Sequence, residues 1–279
     1  MNAANRLDGR SCLIVGGTGG IGLATASRFL AEGARVVVSG RTGDEVRAAR
    51  GHLAPLGPAW AEEAETSDGD AVSSLFDRAI DRLGGRLDVL VHVAGISGRR
   101  YGDGPLHECS EAGWDAVMGV NARGVFLTNR EAARRMLAQG PDEVGLRGTV
   151  LNLGSVTAWS FSPEFFGTYA YAASKAAVHA MTLQAASRYA ADRIRFNAVA
   201  PALVETPMSA RACQDPAIRA YLATKQPIAG APGTPDDVAE AILYLCEPAS
   251  RFVTGVVLAV DGGWCVSEGQ HPSDDGTDG

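Results

Sequence analysis

Cys12-Leu13-Ile14-Val15-Gly16-Gly17-Thr18-Gly19-Gly20-Ile21-Gly22 is the stretch on which the fold turns. An unbroken apolar run leads straight into glycines, and helical periodicity begins at Gly20. A short apolar run without alternation is the pattern of a strand buried on both faces. Glycine serves where φ must be positive and where backbone must come close to a pyrophosphate. A helix starting at that point offers unpaired N–H groups and the positive end of its dipole. Two registers fit: Gly17, Gly19 and Gly22 read G-x-G-x-x-G, and Gly16, Gly20 and Gly22 read G-x-x-x-G-x-G. A tight turn without ligand is the alternative. The place of the turn, between buried strand and helix, favours phosphate binding.

Outward from that turn the same alternation repeats. Apolar runs at Arg35–Ser39, Leu87–Val93, Thr149–Leu153, Ile194–Val199 and Val256–Val260 read as further buried strands, with a weaker one at Ala59–Glu63. Helical patterns fill Gly20–Ala31, Asp44–Leu53, Asp70–Leu83, Ala112–Ala138, Tyr171–Ala190 and Pro235–Cys246. Strand–helix alternation predicts right-handed crossovers and a single-domain α/β fold, a doubly wound parallel sheet flanked by helices. Residues 202–232, with Pro207, Pro216, Pro227 and Pro232, break the alternation and read as a flap on the substrate side. The catalytic domain is expected to span residues 1–266, and residues 267–279, polar and acidic, to form a disordered tail.

Composition narrows the class. The chain has 279 residues, 46% hydrophobic and 20% charged, with a net charge of −7. That is enough chain for a sizeable core, and the charge argues against a nucleic-acid or anionic-membrane binder. Five cysteines without C-x-x-C spacing favour a reducing, cytoplasmic setting over disulfides or zinc, and the histidines show no metal-ligand spacing. No apolar run is long enough to span a membrane.

Chemistry enters downstream. The second strand ends Val38-Ser39-Gly40-Arg41. An acid near here would hold a ribose 2′-OH; Gly40 takes its place, and Arg41 could pair with a 2′-phosphate. This favours NADP(H), with NAD(H) still possible and a solvated surface arginine as the alternative. Tyr171 and Lys175 stand four apart, on one face if helical. A free phenol titrates near 10, and a neighbouring ammonium is expected to lower that and suit Tyr171 to acid/base work. Ser155 follows the strand Thr149–Leu153 and could hold a substrate oxygen beside Tyr171. Asn121 lies inside a long helical pattern, where an amide needs a partner, either a water serving Lys175 or a kinked helix position.

These ordered motifs, with Ala94-Gly95, Asn197–Pro201, Thr206 and Asp261-Gly262-Gly263-Trp264, resemble the classical short-chain dehydrogenase/reductase family from about Leu7 to Trp264. The resemblance implies a Rossmann-type fold and an NAD(P)(H)-dependent oxidoreductase. It assigns Tyr171 as acid/base and Ser155 as donor to the substrate oxygen. Lys175 would hold the nicotinamide ribose and lower the tyrosine pKa, and Asn121 would complete a proton relay. Cofactor contacts are implied at Gly16, Thr18, Gly19, Gly20, Ile21 and Gly22, then at Arg41, Glu65, Ala94 and Gly95, and later at Pro201, Val204 and Thr206. Thr206 looks like the contact to the carboxamide. A homotetramer or homodimer is also implied.

Four positions depart from the family pattern. Val15 removes a hydroxyl that braces the turn, His92 replaces an amide, Glu65 stands where an aspartate reads adenine, and Ala202 replaces glycine. Between Ser155 and Tyr171 the aromatic stretch Thr157–Phe166 reads either as a crevice lining or as subunit packing. Tyr169 has no lysine partner, since Ala173 lies four residues on. The expected function is transfer of hydride between a nicotinamide and a secondary alcohol or ketone, partly apolar or cyclic. A non-redox epimerase or dehydratase retaining its cofactor is the alternative, as is a cofactor-sensing protein, which would have no use for a proton relay.

Overall fold

The computed structural model describes residues 5–270. Seven strands form one parallel sheet: β1 (Ser11–Val15), β2 (Arg35–Gly40), β3 (Ala59–Glu63), β4 (Val89–His92), β5 (Gly148–Leu153), β6 (Ile194–Pro201) and β7 (Val257–Val260). Their order is β3-β2-β1-β4-β5-β6-β7. Every pair is parallel, as both-face burial of the apolar runs requires. Side chains alternate between the faces: Cys12 and Ile14 enter one core, Leu13 and Val15 the other.

The first core is closed by α1 (Gly20–Ala31), α2 (Gly43–Leu53) and, from the far end of the chain, the helix Pro235–Cys246. The second is closed by α3 (Gly69–Leu83), by α5 (Gly124–Ala138), which follows α4 (Glu111–Val117), and by the end of the later helix Tyr169–Tyr189. The residues between α4 and α5, Met118–Arg123, are wound as π-helix. The single helix expected at Ala112–Ala138 is thus interrupted at Asn121, and such wide turns mark functional sites in helices. A short α6 (Pro163–Phe166) precedes the long α7 (Tyr169–Tyr189). The flap carries α8 (Ala210–Gln214) and α9 (Pro216–Lys225), and Pro235–Cys246 is α10.

The sheet order reverses between β1 and β4. A parallel sheet that reverses there opens a crevice at the carboxyl ends of its strands. The loops after β1, β2, β4, β5 and β6 converge on that crevice. A third apolar cluster, with Val156, Ile218, Leu222 and Trp264, floors it beneath the flap. Of the expected tail, Ser267 and Gln270 are tied to α9, by Lys225 Nζ donating to the Ser267 carbonyl and Gln270 N to Thr224 Oγ1; residues 271–279 lie outside the described residues. Among the described residues no helix is long and apolar enough to cross a membrane.

Candidate active site

The turn after β1 is held by backbone. Gly16 N and Gly17 N both donate to the Ser39 carbonyl at the end of β2, each at 3.0 Å. Val93 N and Ala94 N donate to the Val15 carbonyl at 2.8 and 3.0 Å. The main chain that follows β4 thus braces the turn at Val15. Gly16 takes φ of +80°, and a Cβ on it would stand 2.5 Å from Ala94 N. Only glycine fits that contact.

Helix starts differ in a way that matters here. Thr42 caps α2 and Thr234 caps α10, each in a capping box, and Asp68 caps α3. Gly19, the cap of α1, has no side chain to give, and the first turn of α1 holds no acid. Four N–H groups at a helix start lack intrahelical partners. At α1 they open on a cleft of about 710 Å³ lined by Gly16, Thr18, Gly19, Gly20 and Ile21. The buried Ser39 Oγ, on a residue lining the same cleft, has no hydrogen-bond partner. An uncapped helix start, a glycine rim and an orphaned hydroxyl fit a dinucleotide, with its pyrophosphate at α1 and its ribose toward β2.

Arg41 and Glu65 line the β2–β3 end of this cleft. A Cβ on Gly40 would lie 2.7 Å from Thr18 Oγ1, so an acid here would have to displace the Thr18 side chain. The structure adds a carboxylate that spacing did not reveal. Glu45, on the first turn of α2, also lines the cleft, and its Oε2 accepts from Arg41 N at 3.1 Å and Thr42 N at 3.4 Å. The Arg41 side chain makes no ion pair with the described residues. Glu65 Oε1 accepts from Ser67 N and Oγ at 3.0 and 2.9 Å.

Ser155, Tyr171 and Lys175 meet at the middle of the cleft. Ser155 leaves β5 as the cap of a single 3-10 turn; its Oγ accepts from Thr157 Oγ1 at 2.9 Å and donates to the Pro201 carbonyl at 3.4 Å. The Tyr171 phenol lies within the influence of the Ser155 hydroxyl. Lys175 Nζ donates to the Leu153 carbonyl at 2.8 Å and stands 5.6 Å from the Tyr171 ring centroid. The expected lowering of the Tyr171 pKa is not found in the chain: burial pushes the phenol up, and the Ser155 hydroxyl opposes this only in part. The physical reason is desolvation of the phenolate in a buried site. Burial pushes the Lys175 ammonium down to about 8.

That depression has a consequence for stability. Between pH of about 8 and 10.5 the unfolded lysine holds a proton that the folded one has released. Unfolding then takes up protons, so wild-type stability should rise with pH through this window. Lys175→Met should lose that rise. Urea-unfolding midpoints measured for both proteins across the window test it; parallel curves would contradict the burial argument.

Two groups sit behind the catalytic three. Asp103 is buried, and its two oxygens accept from Ala170 N and Tyr171 N, each at 2.9 Å. It caps α7, whose own Thr168 makes no cap bond, and so fixes where Tyr171 leaves the helix. His179 Nε2 accepts from Ser155 N at 3.4 Å, with the ring 5.1 Å from that of Trp159. Burial, with the Lys175 charge second, pushes His179 down to about 4, so it stays neutral and can accept. His92 is also held neutral, at about 3, and bonds Thr128 on α5 at 2.8 Å. His92 is thus tied to a helix, while its Nε2 has no hydrogen-bond partner.

Most residues expected from sequence line one cleft, including Ala94, Gly95, Pro201, Val204 and Thr206. Thr206 packs beside Gly20, where a Cβ would be 3.3 Å from its methyl. Two expected residues stand outside it. A Cβ on Gly22 would lie 2.1 Å from the Gly16 carbonyl oxygen, so Gly22 lets α1 press against the turn rather than facing the cleft. Asn121 is fully buried; its side chain accepts from Ile96 N at 2.8 Å and donates to the Ile96 carbonyl and to Ser174 Oγ at 3.0 and 3.1 Å. The aromatic stretch divides: Phe166 lines the cleft beside Trp264, while Phe161 is 70% exposed. Tyr169 is 45% exposed and packs on Trp114, away from Ser155. Asp103, His179, Glu45, Arg99, Arg211 and the cleft role of Trp264 escaped the sequence reading. Among the described residues no group of histidine, cysteine and acid side chains could hold a metal.

Known proteins resemble this chain over nearly its whole length. The profile of the family described as Enoyl-(Acyl carrier protein) reductase matches residues 16–265. The chain is 40% identical over 261 residues to cis-4-hydroxycyclohexanecarboxylate dehydrogenase of Sinomonas cyclohexanicum, covering 91% of this chain and 96% of that protein. It is 35% identical over 262 residues to the 3-oxoacyl-(acyl-carrier-protein) reductase FabG of Thermotoga maritima, covering 92% and 98%. Among solved structures, a short-chain type dehydrogenase/reductase from Mycobacterium ulcerans superposes with a TM-score of 0.85 at 29% identity, over 94% of this chain and 92% of that one.

Proposed function

The chain belongs to the short-chain dehydrogenase/reductase family, and from that premise we propose that it is an NADP(H)-dependent enzyme interconverting a secondary alcohol and its ketone, with Tyr171 as the acid/base. It is an oxidoreductase of the short-chain alcohol dehydrogenase and ketoreductase type. One observation supports the catalytic assignment most: Tyr171, its ring centroid 5.6 Å from Lys175 Nζ, lines the same cleft as Ser155 and the glycine turn.

The dinucleotide would be held by Gly16–Ile21 at its pyrophosphate, by Arg41 and Glu65 at the adenosine end, and by Lys175, Val204 and Thr206 at the nicotinamide end. Bound there, the nicotinamide supplies or takes the hydride. The chain's own residues handle the oxygen. Ser155 donates a hydrogen bond to it and fixes its place. Tyr171, kept protonated by burial, gives its proton to that oxygen in the direction of reduction. Lys175 then steadies the phenolate with its charge. Asn121 and Asp103 act through others: one ties the Ile96 backbone to α7, the other anchors the Tyr171 end of that helix.

Apolar Val156, Phe166, Met208 and Trp264 in the cleft support a partly apolar or cyclic substrate. The Sinomonas relative, named for a hydroxycyclohexane ring, supports the same class. Exposed Phe252, Val266 and Ile228 support a homo-oligomer, and five free cysteines a cytoplasmic setting.

The preference for NADP(H) rests on Arg41, free of ion pairs in the cleft, against a Glu45 carboxylate already engaged in the capping box of α2. A charge-assisted contact is worth about 1.5–3 kcal/mol, so Arg41→Ala should weaken NADPH about 10- to 100-fold and NADH hardly at all. Paired fluorescence titrations of the two nucleotides test this. Equal losses for both would make Arg41 a surface arginine and leave the dehydrogenase without a phosphate reader.

A further inference from the structure

Charge is divided along the cleft. Its lining acids, Glu45 and Glu65, both follow strands at the cofactor's adenosine end. Beyond Tyr171, among Val156, Phe166 and Trp264, the charged lining residues are Arg99 and Arg211. They come from separate segments, Arg99 from the loop after β4 and Arg211 from α8 on the flap. Neither makes an ion pair with the described residues. Arg99 spends one nitrogen on the Phe165 carbonyl at 3.1 Å. The nearby acid, Asp103, is committed to the two N–H groups that start α7.

We infer that Arg99 and Arg211 form an anion subsite at the substrate end of the cleft, so that the substrate is an apolar alcohol or ketone carrying a carboxylate. Two guanidiniums brought together without a carboxylate of the protein's own repel one another. The Arg99 guanidinium is indeed held below its ordinary value, by burial first and then by the charge of Arg211, with Asp103 opposing. A ligand carboxylate would relieve that repulsion, and its planar pair of oxygens matches the guanidinium fork. The apolar wall between the arginines and Tyr171 suits the hydrocarbon body linking the two ends of such a molecule. Because one arginine sits on the flap and one on the body, the same carboxylate would draw the flap onto the substrate.

This inference rests on the cleft being the site of alcohol–ketone exchange, so its test should not depend on turnover. Calorimetric titration of the NADPH-loaded full chain with cyclohexanecarboxylate and with its neutral counterpart cyclohexanecarboxamide provides one. The acid should bind at least about 10-fold more tightly than the amide, and the gap should narrow as salt is raised. Arg99→Met with Arg211→Met should erase the gap while amide binding and NADPH affinity stay unchanged. The corresponding lysine pair should restore part of it. Equal binding of acid and amide, binding of neither, a gap that survives the double substitution, or an equal loss of NADPH affinity would each overturn the subsite. A wild-type protein that discriminates acid from amide yet transfers hydride to no ketone would support the subsite and overturn the redox assignment instead.

Discussion

Tyr171→Phe should lower turnover by about 10²–10⁴-fold, the range of a positioned general acid, while NADPH binds as before. The substitution removes one oxygen and leaves the ring, so packing around it is kept. Ser155 keeps Thr157 Oγ1 at 2.9 Å and the Pro201 carbonyl at 3.4 Å, so the substrate-oxygen donor stays where it is. Lys175 keeps its bond to the Leu153 carbonyl at 2.8 Å. The loss should therefore fall on kcat and leave KM little changed, because the missing proton matters only as charge builds on the substrate oxygen. Ketone reduction followed by nicotinamide absorbance, beside a fluorescence titration of NADPH, separates the two effects. A variant keeping most of its turnover would take the proton away from Tyr171. A variant losing NADPH as well would make the phenol a structural prop of the cleft.

What could be read from the chain, and what could not, follows from the range of the interactions involved. Cys12–Gly22 announces strand, turn and helix because every requirement is local: apolar continuity, glycine, then helical period. The same holds for the remaining strands, although the run at Leu87–Val93 pairs only as Val89–His92. Asn121 was legible as an anomaly, an amide in a helical stripe. That it sits in a π-helical turn bonded to Ile96 depends on the loop after β4, which no spacing encodes. Asp103 lies some seventy residues before the helix it caps, in a glycine-flanked loop with no periodicity. His179 shares the helical face of Lys175 and could have been found on that ground, but its partner, the Ser155 N–H, comes from a neighbouring strand end. Glu45 was hidden for a different reason: it lies in the helix after β2, and only the fold turns the first turn of that helix toward the cleft. The raised Tyr171 pKa escaped because Y-x-x-x-K spacing conveys the charge of the neighbour but not the burial of either group.

Gly22→Ala and Gly19→Ala should separate two uses of glycine in one turn. At Gly22 the added Cβ would meet the Gly16 carbonyl oxygen at 2.1 Å and Gly17 Cα at 2.9 Å. All of these are backbone atoms, so no rotamer change relieves the contact; α1 must lift or the turn must open. Overpacking of this kind costs about 1–3 kcal/mol. The greater effect should be on the cofactor, since the N–H groups at the head of α1 move with the helix and a displacement near 1 Å can cost about 100-fold. At Gly19 φ is −164°, an extended value open to any residue, and a Cβ there would have no atom within 4 Å. Gly19→Ala should leave the unfolding midpoint unchanged, yet Gly19 lines the cleft, so any loss of NADPH affinity would measure how closely the pyrophosphate approaches that Cα. Calorimetry with NADPH and urea unfolding on both variants provide the four numbers needed. If Gly22→Ala bound the nucleotide normally, the packing of α1 on the turn would not be what aims those N–H groups. If Gly19→Ala unfolded early, the space beside it would be closed rather than open, and the cradle drawn here for the phosphates would be wrong.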